Sequence, residues 1–219
     1  MKESHLLHLL LCCTFGLFIT ACSPDGPELL SEPGGDWRHA GGDHSSSKYS
    51  PLDQIDSSNF SNLELAWRWK SADLSLPEGV GYGTADFRAV PLVVNGTMYV
   101  NTNHGMVAAL DPKSGDELWL FDPESYRNGP PVQTNIMIRG IEYWTDGVIE
   151  RIFVATLGKQ LLSLDASTGQ PDPNFGEDGF IDLSQNLGRL EFESEFITAG
   201  AAPIAVGNSL IVGSKIFDY

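Results

Sequence analysis

An all-β chain, built from repeated hairpin units as a partial β-propeller, is what the sequence predicts. Three observations carry this. First, "GMVAALDPKSGDELW" (residues 105–119) and "GKQLLSLDASTGQPDPNFG" (158–176) share one layout, with Asp111 and Gly115 each preceding Asp165 and Gly169 by 54 positions. Second, the apolar segments are short, β-branched or aromatic, and bounded by Gly, Asn, Asp and Pro, which is strand punctuation. Third, no stretch after residue 35 carries a convincing helical pattern. A repeat of about 40 to 50 residues with several strands apiece is the signature of propeller blades, each burying its faces against its neighbours.

The elements follow in chain order. The chain has 219 residues with 42% hydrophobic and 10% aromatic content, a globular composition. Its start differs: after Lys2 comes "LLHLLLCCTFGLFI", too short for a spanning helix and suited to a signal-peptide core. The tetrapeptide Ile19-Thr20-Ala21-Cys22 that closes it resembles a bacterial lipobox, which makes residues 1–21 a lipoprotein signal peptide and Cys22 the lipidated first residue of the mature chain. A plain secretory signal cleaved nearby is the alternative. Ser23 after Cys22 resembles the pattern of lipoproteins sent to the outer membrane, facing the periplasm. Cys12 and Cys13 then leave with the signal and no mature thiol remains for a disulfide or a cysteine metal site. Residues 22–35, with "SPDGPELLSEPGG", read as a solvated tether reaching roughly 40 Å at about 3.3 Å per residue.

Residues 36–219 form the blades. Strands are expected at "LELAWRW" (63–69), in "VPLVVNGTMYVNT" (90–102), at "ERIFVAT" (150–156) and at "NSLIVGS" (208–214). Asn95-Gly96 marks a tight type I′ hairpin, since both turn positions need positive φ. Asn95-Gly96-Thr97 also spells a glycosylation sequon and is read as a turn alone. "PLVVNG" at Pro91 reappears as "PIAVGN" at Pro203, and "LIV" at Leu210 opens a third copy. Asp111 and Asp165 are expected to accept hydrogen bonds from turn amides, while Gly115 and Gly169 supply the left-handed residue that turns the next strand back. Trp119 is expected to wedge between blades with its indole N–H partnered; core packing outweighs ligand contact for Trp67, Trp69 and Trp119. In the second copy Pro171 and Pro173 take the place of that strand, which is irregular or replaced by "NFGEDGFIDL".

The net charge is −16 and stays there once residues 1–21, with Lys2 and Glu3, are removed. Such a surface repels phosphate, which excludes nucleic acid as a partner, and attachment to a membrane would rest on acyl chains rather than on basic residues.

Ala109 to Trp119, "ALDPKSGDELW", resembles the tryptophan-docking motif of quinoprotein dehydrogenases, with Ser114 where threonine is usual. "DWRHAGGDHSSSKYSPLDQIDSSNFSNLELAWRW" (36–69), "IRGIEYWTDGVIERIFVATLGKQLLSLDASTGQPDPNFGEDGFIDL" (138–183) and "PIAVGNSLIVGS" (203–214) also look like that family, closest to the sugar- and alcohol-oxidising enzymes that use pyrroloquinoline quinone (PQQ). The resemblance implies an eight-bladed propeller, of which this chain supplies about three four-stranded blades. It implies PQQ and Ca²⁺ on the axis, a sugar or alcohol substrate, and electrons leaving for a quinone or cytochrome. Arg139, in "IRGIEYW", matches the PQQ-contacting arginine, with a salt-bridged surface arginine as the alternative. A guanidinium suits a planar ligand bearing carboxylates. Asp218, five residues after Gly213, matches the acidic Ca²⁺ ligand, with an exposed terminal residue as the alternative. Thr198 resembles a threonine touching the cofactor, although it lies five residues before Pro203 where the family has three.

Departures accompany the resemblance. Arg88, in "FRAVP", stands where methanol-oxidising members carry a glutamate and would face a PQQ carboxylate instead. Gln133-Thr134 replaces two adjacent cysteines, and Lys215 replaces a serine beside the quinone. The aspartate base of the family would lie beyond Tyr219, so no catalytic residue is assigned in this chain. The expectation is an N-terminal fragment, inactive alone. The rival reading is a non-catalytic propeller lipoprotein, a scaffold of the outer-membrane β-barrel assembly type. A metal hydrolase using His39 and His44 with Asp43 is disfavoured because "HAGGDH" fits no zinc spacing and this Gly-rich stretch reads as a turn into the first blade, and the serine of "ASTG" has no nucleophile-elbow sequence around it.

Overall fold

The computed structural model describes residues 35–78, 87–128, 138–186 and 199–214. Ten strands form three antiparallel sheets. The first is a complete blade in the order β1 (Leu92–Val94), β2 (Thr97–Asn101), β3 (Val107–Leu110), β4 (Glu117–Phe121). The second repeats it with β5 (Glu142–Thr145), β6 (Glu150–Ala155), β7 (Gln160–Asp165) and β8 (Phe180–Asp182). The third, β9 (Ile204–Val206) with β10 (Ser209–Ile211), has two strands among the described residues. Hence the expected third four-stranded blade is present as its opening hairpin. Each four-stranded sheet is an up-and-down meander, because each strand pairs antiparallel with the next one in the chain, across short turns except for the longer β7–β8 connection.

The alternation of side chains explains why the central strands are apolar on both faces. Val107 and Ala109 of β3 face the second blade and share its core with Tyr99, Tyr143, Ile152, Val154, Leu162 and Leu164. Their neighbours Ala108 and Leu110 face the other way, against Trp67, Trp69 and Met98. A third cluster, Ala155, Leu161 and Ala199 with Phe175 and Leu210, joins the second blade to the third sheet. Each sheet is therefore a filling between two cores, which a period of two along a doubly covered strand produces.

The Asp–Gly corners are built as the sequence reading expects. Asp165 Oδ1 accepts from the amides and hydroxyls of Ser167 and Thr168, and these donors hold its carboxyl below its ordinary value. Asp111 Oδ1 accepts from the Lys113 amide at 2.7 Å. Gly115 and Gly169 have φ of 76° and 71°. More than conformation demands glycine here. A Cβ at Gly115 would lie 2.5 Å from the Trp67 ring, and one at Gly169 would lie 2.5 Å from the Trp119 ring. The Trp67 indole donates to the Pro112 carbonyl at 2.9 Å and the Trp119 indole to the Ala166 carbonyl at 3.0 Å. Each corner thus receives, on a bare peptide, a tryptophan from the preceding unit.

At the Asn95-Gly96 turn both φ values are positive, 51° and 79°, as a type I′ turn requires. "NFGEDGFIDL" does supply the fourth strand of the second blade: Phe180, Ile181 and Asp182 pair with Leu162, Leu161 and Gln160, while Pro171 makes only an isolated bridge to Leu164. One strand expectation is corrected. Leu63–Trp69 forms no strand; it runs extended with no ladder partner among the described residues and is held by its docked tryptophans instead. Among the described residues, helix is confined to single 3₁₀ turns at Phe60–Asn62, Ala72–Ser75 and Ser125–Asn128. The second of these is tied to the β2–β3 corner, where Asp73 Oδ2 lies 3.2 Å from His104 Nδ1 and accepts from the Asn103 amide.

Candidate functional site

The two arginines singled out for the cofactor sit on the segments that lead into the first strands of the two four-stranded sheets. Arg88 lies four residues before β1, and Arg139 three before β5. Main-chain bonds lace these lead-ins together. The Val90 amide donates to the Arg139 carbonyl at 3.3 Å, and the Arg139 amide donates to the Gly200 carbonyl at 3.0 Å. Segments far apart in sequence therefore lie side by side, one from each repeat, at the entrance to the strands. Both arginines are exposed, while Ile138, Gly140 and Ile141 around Arg139 are buried. Buried neighbours fix the backbone, and an exposed guanidinium on a fixed backbone is a defined cationic point for an anionic, planar ligand.

A second fixture of the same lead-in is Asn101. Wholly buried, it donates from Nδ2 to the Ile138 carbonyl at 3.3 Å, bracing the residue before Arg139 from the end of β2. Sequence reading did not single out Asn101, since an asparagine closing a strand looks like ordinary turn chemistry. Thr198, Asp218, Lys215, Gln133-Thr134 and Cys22 lie outside the described residues. Gly200, bonded to Arg139, is two residues beyond Thr198.

The donor set suits the cofactor. PQQ presents carboxylates and ring oxygens, and two arginines on adjoining segments supply bidentate donors for such groups. The lead-in of Arg139 is buried on both sides of that residue, and main-chain bonds tie it to the lead-in of Arg88 and to Gly200. Glu142, which sequence reading also passed over, is 3% exposed at the start of β5; its carboxylate accepts from the Ala205 amide at 3.1 Å and lies 3.1 Å from His39 Nδ1, 103 residues earlier in the chain. Behind it, Tyr143 donates to Glu150 at 2.8 Å; burial first and that carboxylate second push its phenol up from the ordinary value.

Comparison with known proteins identifies the family. The family described as PQQ, glucose/ethanol/alcohol dehydrogenase, β-propeller domain, matches residues 37–219. The quinate/shikimate dehydrogenase (quinone) of Acinetobacter baylyi is 28% identical over 204 residues, covering 83% of this chain and 24% of that protein. The 1-butanol dehydrogenase (cytochrome c) of Thauera butanivorans is 38% identical over 138 residues, covering 63% of this chain and 18% of that protein. Among solved structures, quinohemoprotein alcohol dehydrogenase ADHIIG of Pseudomonas putida HK5 superposes with a TM-score of 0.63 at 27% identity, covering 83% of this chain and 23% of that one. The chain thus spans about a quarter or less of the length of these relatives. By its blades, its docked tryptophans and a family match running from Trp37 to Tyr219, the chain belongs to the PQQ-dependent glucose/ethanol/alcohol dehydrogenase β-propeller family.

Proposed function

We propose that these residues are the N-terminal blades of a dehydrogenase that oxidises the hydroxyl of an alcohol or sugar with PQQ, passing electrons to a quinone or cytochrome. The observation that carries this is the lacing of the Arg88 and Arg139 lead-ins within a family-matched propeller. When bound, PQQ supplies the two-electron acceptor and Ca²⁺ the Lewis acid. The share of this chain is binding and orientation: Arg139 and Arg88 take carboxylates of the cofactor, and Thr198 adds a hydroxyl contact. Asp218 offers a hard oxygen to Ca²⁺. The proton-accepting base is assigned to no residue here. Support for the dehydrogenase over the scaffold lipoprotein comes from the names of the relatives, which specify oxidation with quinone or cytochrome c as acceptor. The lipobox-like Ile19-Thr20-Ala21-Cys22 and Ser23 support a periplasmic protein anchored through Cys22, in the outer membrane, with residues 22–35 as tether.

The test is a titration of the full chain with PQQ in the presence of Ca²⁺, followed by tryptophan quenching. Replacing Arg139→Gln removes a charge-assisted pair worth about 1.5–3 kcal/mol, so the dissociation constant should rise roughly 10- to 150-fold. Equal affinity of variant and parent would overturn the assignment of Arg139.

A further inference from the structure

A second, separate centre is formed where the N-terminal segment meets the second blade. His39, His44 and Glu142 each present one ligand atom, and these atoms all lie within 4.8 Å of one another. The geometry points to a binding site for one divalent first-row transition ion of the Zn²⁺ type, held by two imidazoles and one carboxylate, and stapling the N-terminal segment to β5.

Local structure brings the three together. The Gly42 amide donates to the His39 carbonyl at 2.8 Å, closing a tight turn that stacks the two imidazoles with ring centroids 4.0 Å apart. Trp37, two residues earlier, is fixed to the edge of β1 by paired main-chain bonds with Val93 of 2.7 and 2.9 Å. Glu142 arrives from the start of β5. His39 Nδ1 lies 3.1 and 3.2 Å from its two carboxylate oxygens. Two ligands of one tetrahedral ion, each bonded at about 2.0–2.1 Å, stand about 3.3 Å apart, so this pair already has the separation of neighbouring ligands. His44 is exposed, and its side chain can swing to close the remaining distance.

The surroundings fit a coordination site. Glu142 is buried, and its Oε1 also accepts from the Ala205 amide at 3.1 Å, which orients the carboxylate from behind as an outer-shell donor does. Three protein ligands leave a fourth position open. A cavity of about 290 Å³ adjoins the cluster, bordered by Arg38, Tyr143 and Gly207, with room for water or a small anion at that position. Two nitrogen donors select the Zn²⁺ class over Ca²⁺ or Mg²⁺, which take oxygen. The spacing of His39 and His44 alone fits no zinc pattern, and the third ligand 103 residues away is what makes the set. This site does not depend on the quinone reading, and neither PQQ nor Ca²⁺ enters its test.

The full chain, purified without a histidine tag and stripped with chelator, is titrated with Co²⁺ and with Zn²⁺. Expected is one tight equivalent, with the visible absorption of four- or five-coordinate Co²⁺, bleached by Zn²⁺ and not by excess Ca²⁺. His44→Ala changes an exposed side chain and leaves the fold intact; it should weaken binding by at least about 100-fold, since the loss of mere outer-shell partners costs about 10- to 100-fold. Glu142→Gln should abolish the band, and Zn²⁺ should raise the unfolding temperature of the parent but not of His44→Ala. Failure of the parent to bind, binding by His44→Ala equal to the parent, or displacement by Ca²⁺ would each overturn the proposal.

Discussion

Replacing Gly169→Ala puts one methyl group where the second blade receives Trp119. Two costs add. Gly169 has φ of 71°, in the left-handed region, where an L-residue costs about 1–2 kcal/mol. In addition, the new Cβ would stand 2.5 and 2.6 Å from two ring carbons of Trp119, about 1 Å inside ordinary carbon contact of about 3.5 Å. The ring must retreat by that ångström, lengthening its 3.0 Å indole bond to the Ala166 carbonyl and forfeiting about 1 kcal/mol. Overpacking of this kind adds about 1–3 kcal/mol. The expected loss is therefore about 3–6 kcal/mol. Gly96→Ala is the matched control: its φ is 79°, yet nothing lies within 4 Å of the added Cβ, so only the backbone cost of about 1–2 kcal/mol applies. Urea unfolding followed by tryptophan emission measures both. Losses equal to within about 0.5 kcal/mol would refute the claim that the bare peptide at Gly169 exists to seat the indole.

Three further outcomes follow from the same contacts. Trp119→Phe keeps most of the ring but removes the donor to Ala166, leaving that carbonyl unpaired, and should cost about 1–3 kcal/mol in urea unfolding. The carboxyls of Asp165 and Asp73 are held below their ordinary 3.8, the first by Ser167 and Thr168 and the second by His104, Thr102 and the Asn103 amide, which outweigh its burial. A carboxyl lowered in the folded state stabilises it fully above the unfolded value and ceases to do so as pH falls through the folded value. Stability of the parent should accordingly be flat from pH 7 to about 5 and drop below about pH 4, and Asp165→Asn should shrink that drop; an identical acid profile for the variant would contradict this.

The blade repeat was legible because its chemistry is local. An aspartate at the end of a strand and a left-handed glycine four residues on fix a corner wherever they occur, and both corners formed as read. Asn95-Gly96 was readable for the same reason. The misreading of Leu63–Trp69 has the opposite cause: its β-like composition says what a strand prefers but not whether a neighbour is there to bond it. At the site, Arg139 and Arg88 could be picked out from their surroundings, but not their adjacency, which depends on stacking one repeat against the next. Glu142 was invisible, as its meaning comes entirely from a histidine 103 positions away.

The tryptophan handshake runs one way along the chain and then changes form. Trp67 enters the Gly115 corner and Trp119 the Gly169 corner, but the second blade ends in Pro171 and β8 and sends no indole onward from that strand. In a quasi-linear array, cooperativity is set by the couplings between successive units. The first two units are latched through the Gly169 corner, whereas the β9–β10 hairpin is joined to the second blade by the Trp144 indole donating to the Gly207 carbonyl, the Ala205 amide donating to Glu142 and the cluster around Phe175 and Leu210. A first-strand indole and a buried carboxylate thus take over from the corner latch at the second seam, so successive units of this arc are coupled by different chemistry.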